Sequence, residues 1–244
     1  IRAPYASFGL FETAILGTLA SCTGWATAAA ECVEAGDGVP VIAYGARHVH
    51  PEVVGVMDYS AVVGGCASSS SVVGQQLHGL TPSGTMPHSL VLLMGDTVRS
   101  IMAFDKHMPP EVPRVALVDT FKDEAEEAVD VAKALRERLR GIRLDTPKER
   151  GGVTPELVHE IRARLDQLGH HHVDIFVSGG ISPERIRNFV EAAAPVSVFA
   201  VGYYIAAASP ISFTADIKQI EGADIAKRGR VPGLSVNPKL SQVL

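Results

Sequence analysis

His88 follows Thr-Pro-Ser-Gly-Thr-Met-Pro at residues 81–87 and precedes Leu90, Leu93, Met94, Val98, Ile101 and Met102, which recur at helical spacing. Pro82 and Gly84 interrupt regular structure, and Pro87 suits the first turn of a helix, where its missing N–H is not needed. The pattern predicts a helix beginning near His88. A helix start offers free N–H groups and a partial positive charge to an anion. An imidazole there can carry a proton or accept a phosphoryl group. The plainer alternative is a histidine and a serine that cap the helix.

Other candidates lie where apolar runs end: Arg47 with His48 and His50, Cys66 with Ser68, Thr85, Asp119 with Thr120, Arg143 with Asp145, Ser178-Gly179-Gly180, and Gly202. The set joins cations, carboxylates, hydroxyls and glycine turns. That mixture suits an anionic, hydroxyl-bearing ligand such as a sugar phosphate. Gly179-Gly180 before a capped helix, and Gly202 after the next run, fall where barrels commonly hold a phosphate. Taken one at a time, these residues are equally turn glycines and strand-end salt bridges. His170-His171-His172 looks like a metal tract, but consecutive side chains do not converge on one ion. The tract also joins a helix to the start of a strand, on the face opposite the site.

Positioning these groups requires alternating strands and helices. Strands are expected at Val39–Ala46, Ser60–Cys66, Leu80–Met86, Arg114–Thr120, Gly141–Thr146, Val173–Gly180 and Val196–Gly202. Helices are expected over residues 5–36, as one or two, after His88, over Lys122–Leu139, after Thr154 and after Ser182. The serine run 68–71 reads as a loop entering a short helix. Strands this apolar are buried on both faces, as in a parallel sheet covered by helices. Seven such units suit a closed or nearly closed barrel, and no GxGxxG follows the first strand to favour a dinucleotide fold. Residues 1–213 make the expected barrel, and 214–244 a small peripheral β segment.

The 244 residues, 46% hydrophobic and 20% charged, give ample core. A net charge of −5 with scattered basic residues argues against a nucleic-acid partner. Cys22, Cys32 and Cys66 are odd in number and lack CxxC spacing, which favours a reducing cytoplasm without disulfides or a zinc site. No apolar run is long enough to span a bilayer. The sequence opens at Ile1 in mid-pattern, as a chain lacking an N-terminal portion would.

Through PYASFGLFETAIL, YGARHVHP, VGGC, PSGTMPHSL, LVDTFKDE, GIRLDTP, FVSGGISPERI, VGYYI and DIAKRGRVPG the chain resembles the nicotinate phosphoribosyltransferase family over nearly its whole length. These type II phosphoribosyltransferases have an incomplete TIM-like α/β barrel, here expected with seven strands. The resemblance implies that nicotinate and phosphoribosyl pyrophosphate give nicotinate mononucleotide, with ATP as co-substrate, Mg²⁺ as cofactor, and a homodimer or higher homo-oligomer as the assembly. It implies that His88 is phosphorylated by ATP, that Arg143 holds nicotinate or the phosphoribosyl group, and that Arg47 is a second anion-binding arginine. Thr85 would line the same pocket, and Ser178, Gly179, Gly180 and Gly202 would cradle the 5′-phosphate. Asp119 and Asp145 would hold ribose hydroxyls or metal-bound water.

The chain departs from the family at Ala67, where many relatives carry Asp. It departs again at Ala200-Val201-Gly202-Tyr203, where Gly-Val-Gly-Ser/Thr is usual. The family's N-terminal β domain is not within this sequence. Quinolinate phosphoribosyltransferase, with the same barrel and a dicarboxylate substrate, is the alternative enzyme. A non-catalytic phosphate-binding homologue or fragment is the alternative from another class.

Overall fold

The apolar runs pair into one parallel sheet: β1 (Val41–Ala43), β2 (Ser68–Ser69), β3 (Val115–Leu117), β4 (Gly141–Leu144), β5 (Asp174–Val177) and β6 (Val198–Val201). The computed structural model describes residues 2, 4–79 and 84–239. Strand order is β2-β1-β6-β5-β4-β3, and among the described residues no pairing joins β2 to β3, so the barrel is not closed. The parallel register sets Val41 against Phe199, Ile142 against Ile175 and Leu117 against Arg143, which brings the carboxyl ends of the strands to one rim. Val41, Ala43, Ala116, Ile142, Leu144, Ile175, Val177, Phe199 and Val201 are fully buried, as a doubly covered sheet requires.

The helices are α1 (Tyr5–Ala35), α2 (Pro51–Val63), α3 (Val72–His78), α4 (His88–Met94), α5 (Thr97–His107), α6 (Glu124–Leu135), α7 (Pro155–Gln167), α8 (Pro183–Glu191) and α9 (Tyr203–Ala206). Their starts follow side-chain chemistry. Asp123, Thr154 and Ser182 each accept a backbone N–H from the first turn of the following helix. α6 buries Ala125, Ala128, Val131, Ala132 and Leu135. The expected helix after His88 is two helices. Gly95, at φ 73°, ends α4, and the Asp96 carboxylate caps α5.

Contacts divide the chain into two units. Ser21–Pro210 holds the sheet and the helices around it. Residues 1–20 and 211–244 make the second unit, which contains the start of α1 and an antiparallel pair, β7 (Gln219–Ile220) with β8 (Ala223–Asp224). That pair is the β segment expected near the C-terminus.

One of the seven expected strands is not a strand, and another forms none over its described residues. Ser60–Val63 belongs to α2, and Gly64 and Gly65 turn the chain into Cys66, so β2 forms two residues later at Ser68–Ser69. The helix wins because His50 and Pro51 start it: the His50 imidazole accepts the Glu52 N–H at 3.2 Å, and Pro51 occupies the first turn. Of the expected strand Leu80–Met86, Leu80–Ser83 lie outside the described residues, and Gly84–Met86 run without strand pairing. Among the described residues the sheet is therefore six-stranded where seven strands were expected.

Candidate functional site at the carboxyl rim of the sheet

Strand alternation places Arg143 and Asp145, two residues apart, on the same face at the end of β4, while Ile142 and Leu144 face the packed core. Arg143 is nearly buried, and its guanidinium donates to the Thr85 hydroxyl at 2.5 Å and to the Met86 carbonyl at 3.4 Å. These bonds tether the segment that leads into His88. Gly84–Pro87 have no sheet ladder of their own, and Arg143 bonds to two of these residues.

His88 opens α4 with its ring turned toward two carboxylates. Its Nε2 lies 3.0 Å from Asp119 Oδ2, whose side chain is 1% exposed, and its Nδ1 lies 3.9 Å from Asp145 Oδ2. The first distance is a charge-assisted hydrogen bond and the second is too long for one. In the tautomer that donates from Nε2 to Asp119, Nδ1 is left as the acceptor nitrogen on the cleft side. Burial pushes the Asp119 carboxyl above its usual range, while the hydrogen bond from His88 and the nearby Arg143 pull it down.

The loops around this centre are braced by buried acids of α6. Glu127 accepts the Phe121 N–H at 3.0 Å and the Thr97 hydroxyl at 2.8 Å, which fixes the turn after Asp119. Glu124 accepts the Thr146 hydroxyl at 2.9 Å and pairs with Arg150 at 3.2 Å, which fixes the turn after Asp145. Buried carboxylates are tolerated here because each is fully engaged.

Ser178 follows β5, and its hydroxyl lies 2.9 Å from both the Leu144 carbonyl and Asp145 Oδ1. It is thus engaged inward, locking the Asp145 carboxylate. Gly179 and Gly180 follow at φ 85° and 63°. A Cβ on Gly179 would lie 3.0 Å from Asp145 Oδ1, so both backbone conformation and space disfavour a side chain there. At the end of β6, a Cβ on Gly202 would lie 3.0 Å from the Tyr44 carbonyl and 3.4 Å from His48 Nε2. Arg47 Nε points at His48 Nε2 at 3.4 Å. Burial and the Arg47 charge hold the His48 imidazole below its ordinary pKa. The Tyr203 ring stands edge-on to His48, centroids 5.6 Å apart, and is 68% exposed.

One cleft of about 640 Å³ within the sheet-bearing unit is lined by Arg47, Thr85, His88, Arg143, Asp145, Ser178, Gly179, Gly180 and Gly202. Asp119 lies behind His88 rather than on the wall. His50 caps α2 and Cys66 is buried, so neither joins the cleft. Burial raises the Cys32 and Cys66 thiols to about 12, which keeps them protonated and unreactive near neutral pH. His170–His172 precede β5 at the opposite end of its strand, where His171 pairs with Asp166.

Sequence reasoning missed the Met86 carbonyl, Tyr44 and Ser70 on the wall, and the bracing by Glu124 and Glu127. Acidic residues in a first helical turn read as dipole complements, and only the fold shows them buried.

Among the described residues no three His, Cys, Asp or Glu side chains converge as a metal site, and no helix is long and apolar enough to cross a membrane. All three cysteines are free thiols.

A family model described as "Quinolinate phosphoribosyl transferase, C-terminal domain" matches residues 25–216. The nicotinate phosphoribosyltransferase pncB2 of Mycobacterium tuberculosis is 32% identical over 203 residues, 82% of this chain and 42% of that protein. The nicotinate phosphoribosyltransferase of Bacillus subtilis is 29% identical over 209 residues, 83% of this chain and 41% of that protein. The chain thus spans about half the length of the curated relatives it matches. The crystal structure of nicotinate-nucleotide pyrophosphorylase from Pyrococcus furiosus superposes with a TM-score of 0.86 at 44% identity, covering 93% of this chain and 58% of that one. Human nicotinic acid phosphoribosyltransferase shares the fold, with a TM-score of 0.73 at 20% identity over 95% of this chain and 55% of that one.

Proposed function

The chain belongs to the family of the quinolinate phosphoribosyl transferase C-terminal domain, and from that premise we propose that its cleft transfers a phosphoribosyl group from phosphoribosyl pyrophosphate to nicotinate, with ATP hydrolysis coupled through His88. The observation that carries this reading is the His88–Asp119 pair at 3.0 Å, with His88 on the cleft wall and Asp119 behind it. A transfer that needs only charge neutralisation has no use for an imidazole whose one nitrogen is fixed by a buried carboxylate and whose other is left as a lone pair. A phosphoryl acceptor does.

In this reading the pyridine nitrogen of nicotinate bonds to the anomeric carbon as the bond from that carbon to pyrophosphate breaks. Positive charge builds on the ribose and negative charge leaves on pyrophosphate. Arg143 and Arg47, the two arginines on the cleft wall, face those anions and the nicotinate carboxylate. The 5′-phosphate sits at Gly179-Gly180, with Gly202 opposite. Separately, His88 Nδ1 attacks the terminal phosphorus of ATP, ADP leaves, and Asp119 stabilises the positive ring through Nε2–H. Water later takes the phosphoryl group as phosphate.

Asp145 Oδ2 makes no hydrogen bond among the described residues, which fits it to accept a water of a Mg²⁺ ion carried in on pyrophosphate. The ion would neutralise leaving-group charge when bound.

A second reading, transfer to quinolinate, is favoured by the description of the matching family model. A dicarboxylate beside a pyrophosphorylated sugar calls for more cations than two arginines supply, which supports nicotinate. Turnover of each base with phosphoribosyl pyrophosphate, with and without ATP, tests the choice. Nicotinate turnover stimulated by ATP supports the proposal; turnover of quinolinate without ATP replaces it.

A further inference from the structure

Arg185 occupies an expensive position. It is the third residue of α8, its N–H bound to the Ser182 cap at 3.3 Å, and its side chain folds back over the positive end of its own helix. There Nη1 donates to the Gly179 carbonyl at 2.8 Å and to the Gly180 carbonyl at 3.2 Å, and Nη2 donates to the Val153 carbonyl at 2.7 Å. Among the described residues it makes no ion pair. Burial holds its guanidinium below its ordinary value. A partly dehydrated cation at a helix N-terminus, met only by neutral carbonyls, lacks the counter-charge that such groups normally have.

The carbonyls it takes define what the loop presents. In a planar trans peptide the C=O and the following N–H point in opposite directions. Holding the Gly179 and Gly180 carbonyls on the Arg185 side therefore turns the Gly180 and Ile181 N–H groups away from it. Neither N–H has an acceptor among the described residues. Both glycines are left-handed, at φ 85° and 63°, a conformation that favours such outward N–H groups but is easily lost without an external hold.

We propose that Arg185 is the positioning residue of the phosphate cradle: its guanidinium clamps the Gly179 and Gly180 carbonyls so that the loop's N–H groups meet the 5′-phosphate, whose charge it offsets from behind. The inference rests on the phosphoribosyl-transfer reading and goes beyond it by assigning a residue that does not touch substrate.

The test uses full-length protein and the variants Arg185→Met and Arg185→Lys, with folding checked by circular dichroism. Phosphoribosyl pyrophosphate binding is measured by calorimetry, and KM is measured for each substrate. Arg185→Met removes the clamp and the charge, and is expected to weaken phosphoribosyl pyrophosphate about tenfold to a hundredfold while leaving the KM for nicotinate unchanged. Arg185→Lys keeps the charge but cannot bridge three carbonyls, and should recover only part of the loss. If Arg185→Met does not fold, an affinity for Arg185→Lys between a threefold loss and a thirtyfold loss sustains the inference.

Parental affinity in either folded variant, or an equal rise in both KM values, overturns it. A parent that binds phosphoribosyl pyrophosphate while the variants match it sinks this inference alone. A parent that binds none sinks the transferase reading as well.

Discussion

His88 Nε2 and Asp119 Oδ2 stand 3.0 Å apart, although one opens α4 and the other ends the β3 segment 31 residues later. The pair exists because Arg143, from the neighbouring strand, tethers Thr85 and Met86 and so delivers His88 to the rim. A carboxylate with 1% exposure is retained there despite its desolvation cost. Under the proposed function, that carboxylate holds the imidazole in one tautomer.

His88→Asn keeps a polar group at the start of α4 but removes the nucleophilic nitrogen. Coupled ATP hydrolysis is expected to disappear, and slower ATP-independent transfer to persist. Phosphate release and nucleotide formation measured in one reaction give the ratio. Undiminished coupling in the variant would make His88 a helix cap.

Asp119 links activity to stability with opposite signs. Its folded-state pKa is raised by burial, so the folded protein holds more protons than the unfolded chain between the ordinary carboxylate pKa and the raised value. Its contribution to stability therefore falls as pH rises through that window. Asp119→Asn, which can still accept the His88 N–H, is expected to raise the melting temperature at neutral pH. The gain should shrink as pH falls toward about 4. ATP-coupled turnover should drop by about a hundredfold. A variant that melts lower than the parent at neutral pH contradicts the sign.

Gly179→Ala tests the cradle. The added methyl would meet Asp145 Oδ1 at 3.0 Å on a backbone at φ 85°. A cost of about 1–3 kcal/mol in unfolding free energy is expected from the strained conformation. Phosphoribosyl pyrophosphate affinity should fall further than stability alone explains, because Asp145 is displaced. Denaturant titration alongside calorimetry separates the two effects.

Tyr203 stands where the family resemblance leads one to expect Ser or Thr. It lines the cleft beside Gly202, its ring packs edge-on against His48, and the residue is 68% exposed. Tyr203→Ser restores a short hydroxyl and is expected to tighten phosphoribosyl pyrophosphate by about tenfold, the worth of one hydrogen bond to a charged group. Unchanged binding would mean that backbone groups alone hold the phosphate.

Much of this was legible in the residues. The apolar runs ending in Asp119, Asp145, Ser178 and Gly202 are strands or lead directly out of them, as doubly covered parallel strands between capped helices do. Ser60–Cys66 misled because α2 is apolar on both faces: Met57 and Ala61 are buried while Val53, Val56, Tyr59 and Val63 are exposed. Periodicity cannot separate helix from strand in such a segment. The inward lock of Ser178 on Asp145, and the bonds of Glu124 to Thr146, Glu127 to Thr97 and Arg185 to Val153, join residues distant in sequence, which spacing does not encode.

The most direct test is the steady-state turnover of nicotinate by full-length protein with phosphoribosyl pyrophosphate and Mg²⁺, compared with nicotinamide and quinolinate and run with and without ATP. The account predicts that nicotinate alone is converted at an appreciable rate, because a carboxylate paired with arginine gains about 1.5–3 kcal/mol that a neutral amide lacks. It also predicts that ATP raises that rate. Equal use of nicotinamide, or rapid conversion of quinolinate indifferent to ATP, would contradict it.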